Sequence, residues 1–305
     1  MPQFSIIIPC FNAEKTIAQT LKGFQAQTVS DWEAICIDDG STDETREIIR
    51  EFSQHDERIR LVFNLSKGPS AARNYGAKNL ARAPLLSFCD ADDIWHPSKL
   101  RSLQTAFQDE TVTGAFGQIA FFSVVPGDAT VLSKVPQSDL TVDILLGENP
   151  VCTASNINFR RNAFLASGGF CEDMVHNEDL EWLVRVVGAG HRFSGLNALH
   201  TYYRTSPNGL SSDLGAMETS RQIVVQSAVA LGATPSKKSQ AIYSRYLARR
   251  ALRMGNRLLP LRYVLEALAA SPAGFFTSPR RGALTLSAAL GVLILPRFIT
   301  RPLFS

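Results

Sequence analysis

The sequence predicts an α/β fold, a mostly parallel sheet flanked by helices, followed by a helical, basic carboxyl-terminal extension. Over the first hundred residues, short apolar runs alternate with longer segments of helical periodicity, the β-α-β-α rhythm of a parallel sheet with helices on its faces. Acidic and small polar residues then cluster where those runs end, and ligands of such sheets bind beyond the carboxyl ends of the strands. A length of 305 residues with 45% apolar content suffices for one large domain, or for one domain with an appendage.

Taken in order, the first strand reads at Phe4 to Ile8 and its helix at 15–25. The second pair is Ala34 to Ile37 with 43–53, the third is Leu61 to Phe63 with 70–82, and Leu85 to Cys89 is the fourth strand. Ser41-Thr42-Asp43-Glu44 has the spacing of a capping box, and His96-Pro97-Ser98 opens a helix over 98–107. Gly168-Gly169-Phe170-Cys171-Glu172 reads as a turn. From Leu180, apolar positions at Leu183, Val184 and Val187 recur at helical spacing, so Glu178 and Asp179 lie in a first helical turn.

Charge divides the chain. Residues 1–236 hold 19 Lys and Arg against 27 Asp and Glu, whereas residues 237–305 hold 12 against Glu266 alone. An acidic body with a basic tail suggests that the tail faces something anionic. Arg245, Arg249, Arg253 and Arg257 follow one another at i+4 spacing, opposite Tyr243, Leu247, Met254 and Leu258. Such a helix either lies on an anionic bilayer or packs its apolar side inward with the arginines solvated, and the membrane surface is the favoured expectation. The uncharged run from Ala283 to Leu295, closed by Pro296-Arg297, is too short to span a bilayer, so shallow insertion or packing is expected. Five scattered cysteines, Cys10, Cys36, Cys89, Cys152 and Cys171, form no C-x-x-C pair and read as reduced, mostly buried thiols. Met1-Pro2-Gln3 leads directly into an apolar strand without a basic n-region, so no signal peptide is expected and a cytoplasmic location is.

The most informative cluster is Asp90-Ala91-Asp92-Asp93, directly after the fourth strand. Carboxylates this close repel one another. The cluster is either a solvated turn with an Asp helix cap or the seat of a divalent cation carried by a charged ligand. Pro9-Cys10-Phe11-Asn12 and Asp38-Asp39-Gly40-Ser41 end the first two strands, so three polar loops converge on one crevice. Gly68-Pro69-Ser70-Ala71-Ala72-Arg73-Asn74 puts small residues at a helix start, with Arg73 either offering its fork to a phosphate or pairing with a neighbouring acid. Neither G-x-G-x-x-G after the first strand nor G-x-x-x-x-G-K-[ST] occurs, which argues against a dinucleotide dehydrogenase and a P-loop phosphotransferase. Glu178 and Asp179 either complement the helix dipole or form an acid pair in which one carboxyl acts as a base.

These segments, together with Glu178-Asp179-Leu180-Glu181-Trp182, resemble in order and spacing the family-2 glycosyltransferases with the GT-A fold, over residues 4–212. The resemblance implies an inverting, metal-dependent transfer of sugar from a nucleotide diphosphate donor, a UDP-sugar foremost, to an acceptor hydroxyl in envelope polysaccharide or glycolipid biosynthesis. It implies that Asp39 binds the base edge, with Pro9 and Phe11 lining that pocket and Asp38 nearby, and that Arg73 lies near the diphosphate. By the same resemblance Asp92 reaches a Mg²⁺ or Mn²⁺ ion, Asp90 contacts the ribose or donor sugar, and Asp179 is the catalytic base with Glu178 beside it. His200, in the apolar run from Leu196 to Tyr203, reads as a core histidine rather than a ligand. Residues 139–165 and the polar segment Thr205 to Ser212 are expected on the acceptor side, which would receive a saccharide or lipid-linked acceptor. A nucleic-acid partner is not expected. A sugar nucleotidylyltransferase would need a glycine-rich loop bearing Arg or Lys after the first strand, and a noncatalytic nucleotide-sugar-binding protein would have no need of Asp179.

Overall fold

The parallel pairing expected of the first four strands is present, and it brings their carboxyl ends to one edge. The structure, a computed structural model, describes residues 1–205 and 213–295. The chain forms two compact units, Met1–Leu140 with Pro150–Ser206 and Thr141–Asn149 with Pro207–Ser305. Residues 206–212, with the domain boundary expected at 212, and Pro296, Arg297 and Arg301 lie outside the described residues.

In the first unit β1 (Phe4–Cys10), α1 (Ile17–Gln25), β2 (Trp32–Asp38), α2 (Thr45–His55), β3 (Ile59–Phe63), α3 (Pro69–Tyr75) and β4 (Leu85–Phe88) build the expected alternation. Then follow β5 (Ile94–Trp95), α4 (Lys99–Ala106), β6 (Gly114–Phe122) and β7 (Val131–Leu132). After α5 (Val142–Gly147), which belongs to the second unit, come β8 (Asn158–Arg160), α6 (Arg161–Ala166), α7 (Glu178–Gly188) and β9 (Phe193–Arg204). Among the described residues the strands form one sheet in the order β3-β2-β1-β4-β8-β6-β9-β5, with β7 on β6. β1 pairs in parallel with β2 and β4, and β2 with β3. Beyond β4 the sheet is mixed, because β8 runs antiparallel to both β4 and β6, and β9 returns parallel to β6.

The parallel strands are apolar throughout because both sheet faces are covered. Ile6, Ile7 and Ile8 of β1 and Ala34, Ile35, Cys36 and Ile37 of β2 are fully buried. The register aligns Cys10 with Asp38 and Asp38 with Phe63, so the loops after β1, β2 and β3 leave side by side. The helix expected over 70–82 is α3 followed by a single π-turn at Gly76–Leu80. Gly76 is needed there, since a Cβ would lie 2.6 Å from Ile7 and 2.7 Å from Ile37. The capping box expected at Ser41 is absent. Buried Ser41 receives the amide of Asn12, and Asp43 turns its carboxylate to the amide and hydroxyl of Thr45 at the start of α2.

The second unit consists of α5, α8 (Leu214–Ala230), α9 (Lys237–Arg253), α10 (Leu259–Ala270), α11 (Pro272–Phe275) and α12 (Pro279–Ile294), around a core that includes Leu247, Ala248, Ala251, Tyr263, Val264 and Phe275. Residues 141–149, taken from sequence as part of an acceptor-side segment, contribute α5 to this unit. The arginine stripe differs from expectation. Arg245 is buried and donates to the Phe275 carbonyl at 2.6 Å and to Thr277, while Arg257 donates to the carbonyls of Val292, Leu293 and Leu295. Arg245 thus satisfies a carbonyl at the end of α11 and Arg257 carbonyls at the end of α12, while Met254 and Leu258 are exposed. No helix among the described residues is long and apolar enough to cross a membrane. All five cysteines are free, and Cys10, Cys36 and Cys89 are buried.

Candidate active site

The loop after β1 is anchored to the loop after β2. Asn12, in a left-handed conformation (φ 48°), accepts the Thr42 amide on its Oδ1 and donates its own amide to Ser41. Asp38 is buried, and its carboxylate receives the amides of Gly40 and Ser41, which shapes the turn. Asp39 receives the Asn64 side-chain amide at 2.8 Å on Oδ1 and the Gly68 amide at 2.9 Å on Oδ2. One carboxylate thus ties the end of β2 to the entry of α3. Phe11 is 59% exposed and Pro9 is part-buried, which leaves an open aromatic face beside Asp39's loop.

Arg73 projects from α3 into the acidic loops. Arg73 is 4% exposed, and its guanidinium forms ion pairs with Asp90 (2.6 Å) and Glu178 (3.0 Å), with the ring of Phe170 beneath it. Burial opposes its charge, but Asp90 and Glu178 outweigh that and hold its proton affinity above the ordinary value. Arg73 thus pairs with acids, and its guanidinium is buried rather than on the surface.

The acidic loop after β4 is held from behind. The Asp90 amide donates to Ser155 Oγ at 2.8 Å, and Thr153 donates to Asp90 Oδ2. Lys99, fully buried over the Trp95 ring, donates to the Ser155 carbonyl at 2.7 Å. Burial lowers its proton affinity to about 7. Asp93 is also buried, accepts the Arg204 amide, and is pushed well up by burial and by Asp92 and Asp90. Asp93 therefore belongs to the support of the loop. Asp92 is part-buried, and among the described residues no side chain donates to its carboxylate. Burial and neighbouring Asp90 raise its proton affinity to about 6. A cation would relieve that repulsion. Among the described residues no group of three or more His, Cys, Asp or Glu gathers to hold a metal. The Asp92 carboxylate, on which no side chain among the described residues donates, is the kind of hard oxygen donor that Mg²⁺ and Mn²⁺ take alongside substrate phosphates.

The second acid pair opens α7. Gly168 (φ 82°) and Gly169 (φ 83°) form the turn before it, and a Cβ on Gly169 would lie 2.3 Å from Asn74 Oδ1. Asn74 explains that closeness, since it accepts the Phe170 amide and donates to the Phe170 carbonyl and to Glu172. Arg185 donates to the Ser167 and Gly169 carbonyls, fixing the turn from the other side. Asp179 is part-buried, and its Oδ1 accepts the Leu180 amide at 2.7 Å. Burial and then Glu178 raise its proton affinity to about 7, with Arg73 opposing the rise and Asp90 adding to it. A carboxyl so tuned suits proton abstraction near neutral pH.

The structure therefore brings Asp90, Arg73, Glu178 and Asp179 together, with Asp92 beside Asp90, and ties Asp39 to the start of α3 through the Gly68 amide. His200 is a fully buried core residue hydrogen-bonded to Ser102, its proton affinity pushed well down by burial. Sequence reading missed Asn74, Lys99, Thr153 and Ser155. Only the position of Asn74, next to Arg73, offered a signal, because the other three act through partners remote in the chain.

A family model described as "Glycosyl transferase family 2" matches residues 5–167. The Escherichia coli UDP-Glc:alpha-D-GlcNAc-diphosphoundecaprenol beta-1,3-glucosyltransferase WfgD is 29% identical over 212 residues, 68% of this chain and 79% of that protein. The Bacillus subtilis protein named as putative teichuronic acid biosynthesis glycosyltransferase TuaG is 28% identical over 217 residues, 70% of this chain and 82% of its own. Among solved structures, Staphylococcus aureus TarS 1-349 in complex with UDP superposes with a TM-score of 0.58 at 19% identity, covering 99% of this chain and 88% of that one. The mannosyltransferase PcManGT of Pyrobaculum calidifontis, in complex with GDP-Man and Mn2+, gives 0.53 at 18% identity, covering 98% and 78%. The fold is of the GT-A type shared with these glycosyltransferases.

Proposed function

The chain belongs to glycosyl transferase family 2, and from that premise we propose that it transfers a hexose, with inversion, from a UDP-sugar to a hydroxyl of a saccharide or lipid-linked acceptor. The observation that carries this reading is the Arg73 bridge, which sets the acid loop after β4 beside the acid pair of α7. Asp39, already positioned by Asn64 and Gly68, takes the N–H edge of the base, and Phe11 and Pro9 cover its face. Asp90 contacts the ribose or donor sugar while Arg73 and Thr153 fix its orientation. Asp92, with diphosphate oxygens, would hold Mg²⁺ or Mn²⁺, whose charge stabilises the departing nucleoside diphosphate.

Asp179 accepts the proton of the acceptor hydroxyl as that oxygen attacks the anomeric carbon opposite the leaving group, which inverts the centre. Glu178 and Arg73 set the basicity of Asp179, the first raising and the second lowering its proton affinity. The names of WfgD, which acts on a UDP-sugar and a diphosphoundecaprenol-linked acceptor, and of TuaG support a place in envelope polysaccharide or glycolipid synthesis. The UDP and UDP-GlcNAc complexes of TarS support a uridine donor.

The test is to incubate the purified chain with a panel of UDP-, GDP- and dTDP-sugars, lipid-linked acceptors and Mg²⁺ or Mn²⁺, following nucleoside diphosphate release and the product anomer by NMR. UDP release with inversion is expected. Retention of configuration, or pyrophosphate release, would overturn the proposal.

A further inference from the structure

Among the described residues, the second unit leaves an unusual helix face uncovered. On α12, Gly282, Thr285, Ala289 and Val292 are buried, and helical spacing puts Arg280, Ala283, Leu284, Ser287, Leu290 and Ile294 on the opposite side. That outer side is exposed and apolar apart from Arg280 and Ser287, with Leu284 61%, Leu290 47% and Ile294 84% exposed. A helix apolar on both faces requires a second apolar environment. Its length does not allow a span.

At the amino end of α12 the charge is concentrated and incompletely neutralised. Glu148 lies 3.4 Å from Arg281, 3.7 Å from Arg245 and 4.0 Å from Arg249, so a single carboxylate serves three guanidinium groups at long range. Arg245 is buried and committed to the Phe275 carbonyl and the Thr277 hydroxyl. Arg249 and Arg281 are each about one-third exposed, and Arg253 and Arg280 are exposed. Burial and repulsion by neighbouring guanidiniums, Arg281 among them in each case, lower the proton affinities of Arg245, Arg249 and Arg253. Such a cluster is relieved by an external anion.

We propose that this unit docks on an anionic lipid surface, with Leu284, Leu290 and Ile294 entering the headgroup boundary and Arg249, Arg253, Arg280 and Arg281 taking lipid phosphates. Charge complementarity selects this occupant: the described residues of this unit, 141–149 and 213–295, hold 11 Lys and Arg against five Asp and Glu, and residues 237–295 hold 10 of those bases against Glu266 alone. A second copy seated on the same face would set arginines against arginines. The inference rests on this unit alone and does not depend on the catalytic reading.

The test is co-sedimentation of the full chain with phosphatidylcholine vesicles and with phosphatidylglycerol-rich vesicles, at low and high salt. Binding to the anionic vesicles alone, weakened by salt, is expected. Arg249→Gln and Arg253→Gln should each weaken it about fivefold. Leu284→Glu with Leu290→Glu should abolish it while leaving the thermal unfolding midpoint and sugar-donor binding unchanged. Equal binding to neutral and anionic vesicles, no binding to either, or unaltered binding by the double Glu variant would overturn the proposal. So would calorimetric binding of inorganic phosphate without vesicle binding, or a concentration-dependent doubling of mass that the Glu variant abolishes.

Discussion

Arg73 of α3 holds Asp90 at 2.6 Å with one arm and Glu178 at 3.0 Å with the other, and so joins the loop after β4 to the start of α7. Without it, two part-buried carboxylates would face each other and Asp179 uncompensated. Arg73→Gln should therefore destabilise the fold by about 3 kcal/mol, the scale of breaking a buried pair. Arg73→Lys keeps the charge but not the two-armed fork, and should recover part of the stability with little of the transfer rate. Chemical denaturation and steady-state turnover of both variants check this.

Asp179→Asn removes the proton acceptor but keeps the shape of the side chain. Transfer should fall by roughly 10² to 10⁴-fold while donor affinity, measured by calorimetry, stays within twofold or so. A parallel loss of donor binding would move Asp179 out of the base role.

The same carboxyl sets a pH dependence. Its proton affinity in the fold, about 7, stands above the ordinary value of 3.8, so the folded chain holds a proton that the unfolded chain has released. The stability contributed by that proton is complete below about pH 4 and is lost as pH rises through about 7. Transfer should show the reverse trend, rising through about pH 7 as the base ionises. Asp179→Asn should therefore unfold at a higher temperature than the parent at pH 8, with the difference vanishing near pH 4, as calorimetric scans would show.

Asp92→Ala should abolish the metal-dependent part of donor binding. Titration of UDP-sugar with and without Mn²⁺ is expected to show an affinity gain from metal in the parent and none in the variant, at a thermal midpoint no lower than the parent's.

Gly169→Ala tests the turn that leads to the base. A Cβ there would meet Asn74 at 2.3 Å in a left-handed backbone, so a loss of about 2 kcal/mol is expected. The turnover number should fall more than donor affinity, because the turn carries α7 and not the donor loops. The companion Asn74→Ala should give the same kinetic pattern.

Much of this molecule was legible in its sequence, for a local reason. Alternating apolar runs and helical periods report burial within a few residues, and they located β1 to β4, α1 and α2 nearly to their ends. The acids at 39, 92 and 179 were equally visible, since each stands where a strand ends or a helix begins. Tertiary structure alone decided which charges meet. It buried Arg73 between Asp90 and Glu178, turned Asp38 onto the amides of its own loop, and set Lys99, Thr153 and Ser155 behind the acid loop. It also drew Arg245 and Arg257 from a regular stripe into the carbonyl ends of α11 and α12. The i+4 spacing of those arginines specifies a shared helix face but not what that face packs against, and ion pairs between distant segments exist only once the sheet has aligned the loops that bear them.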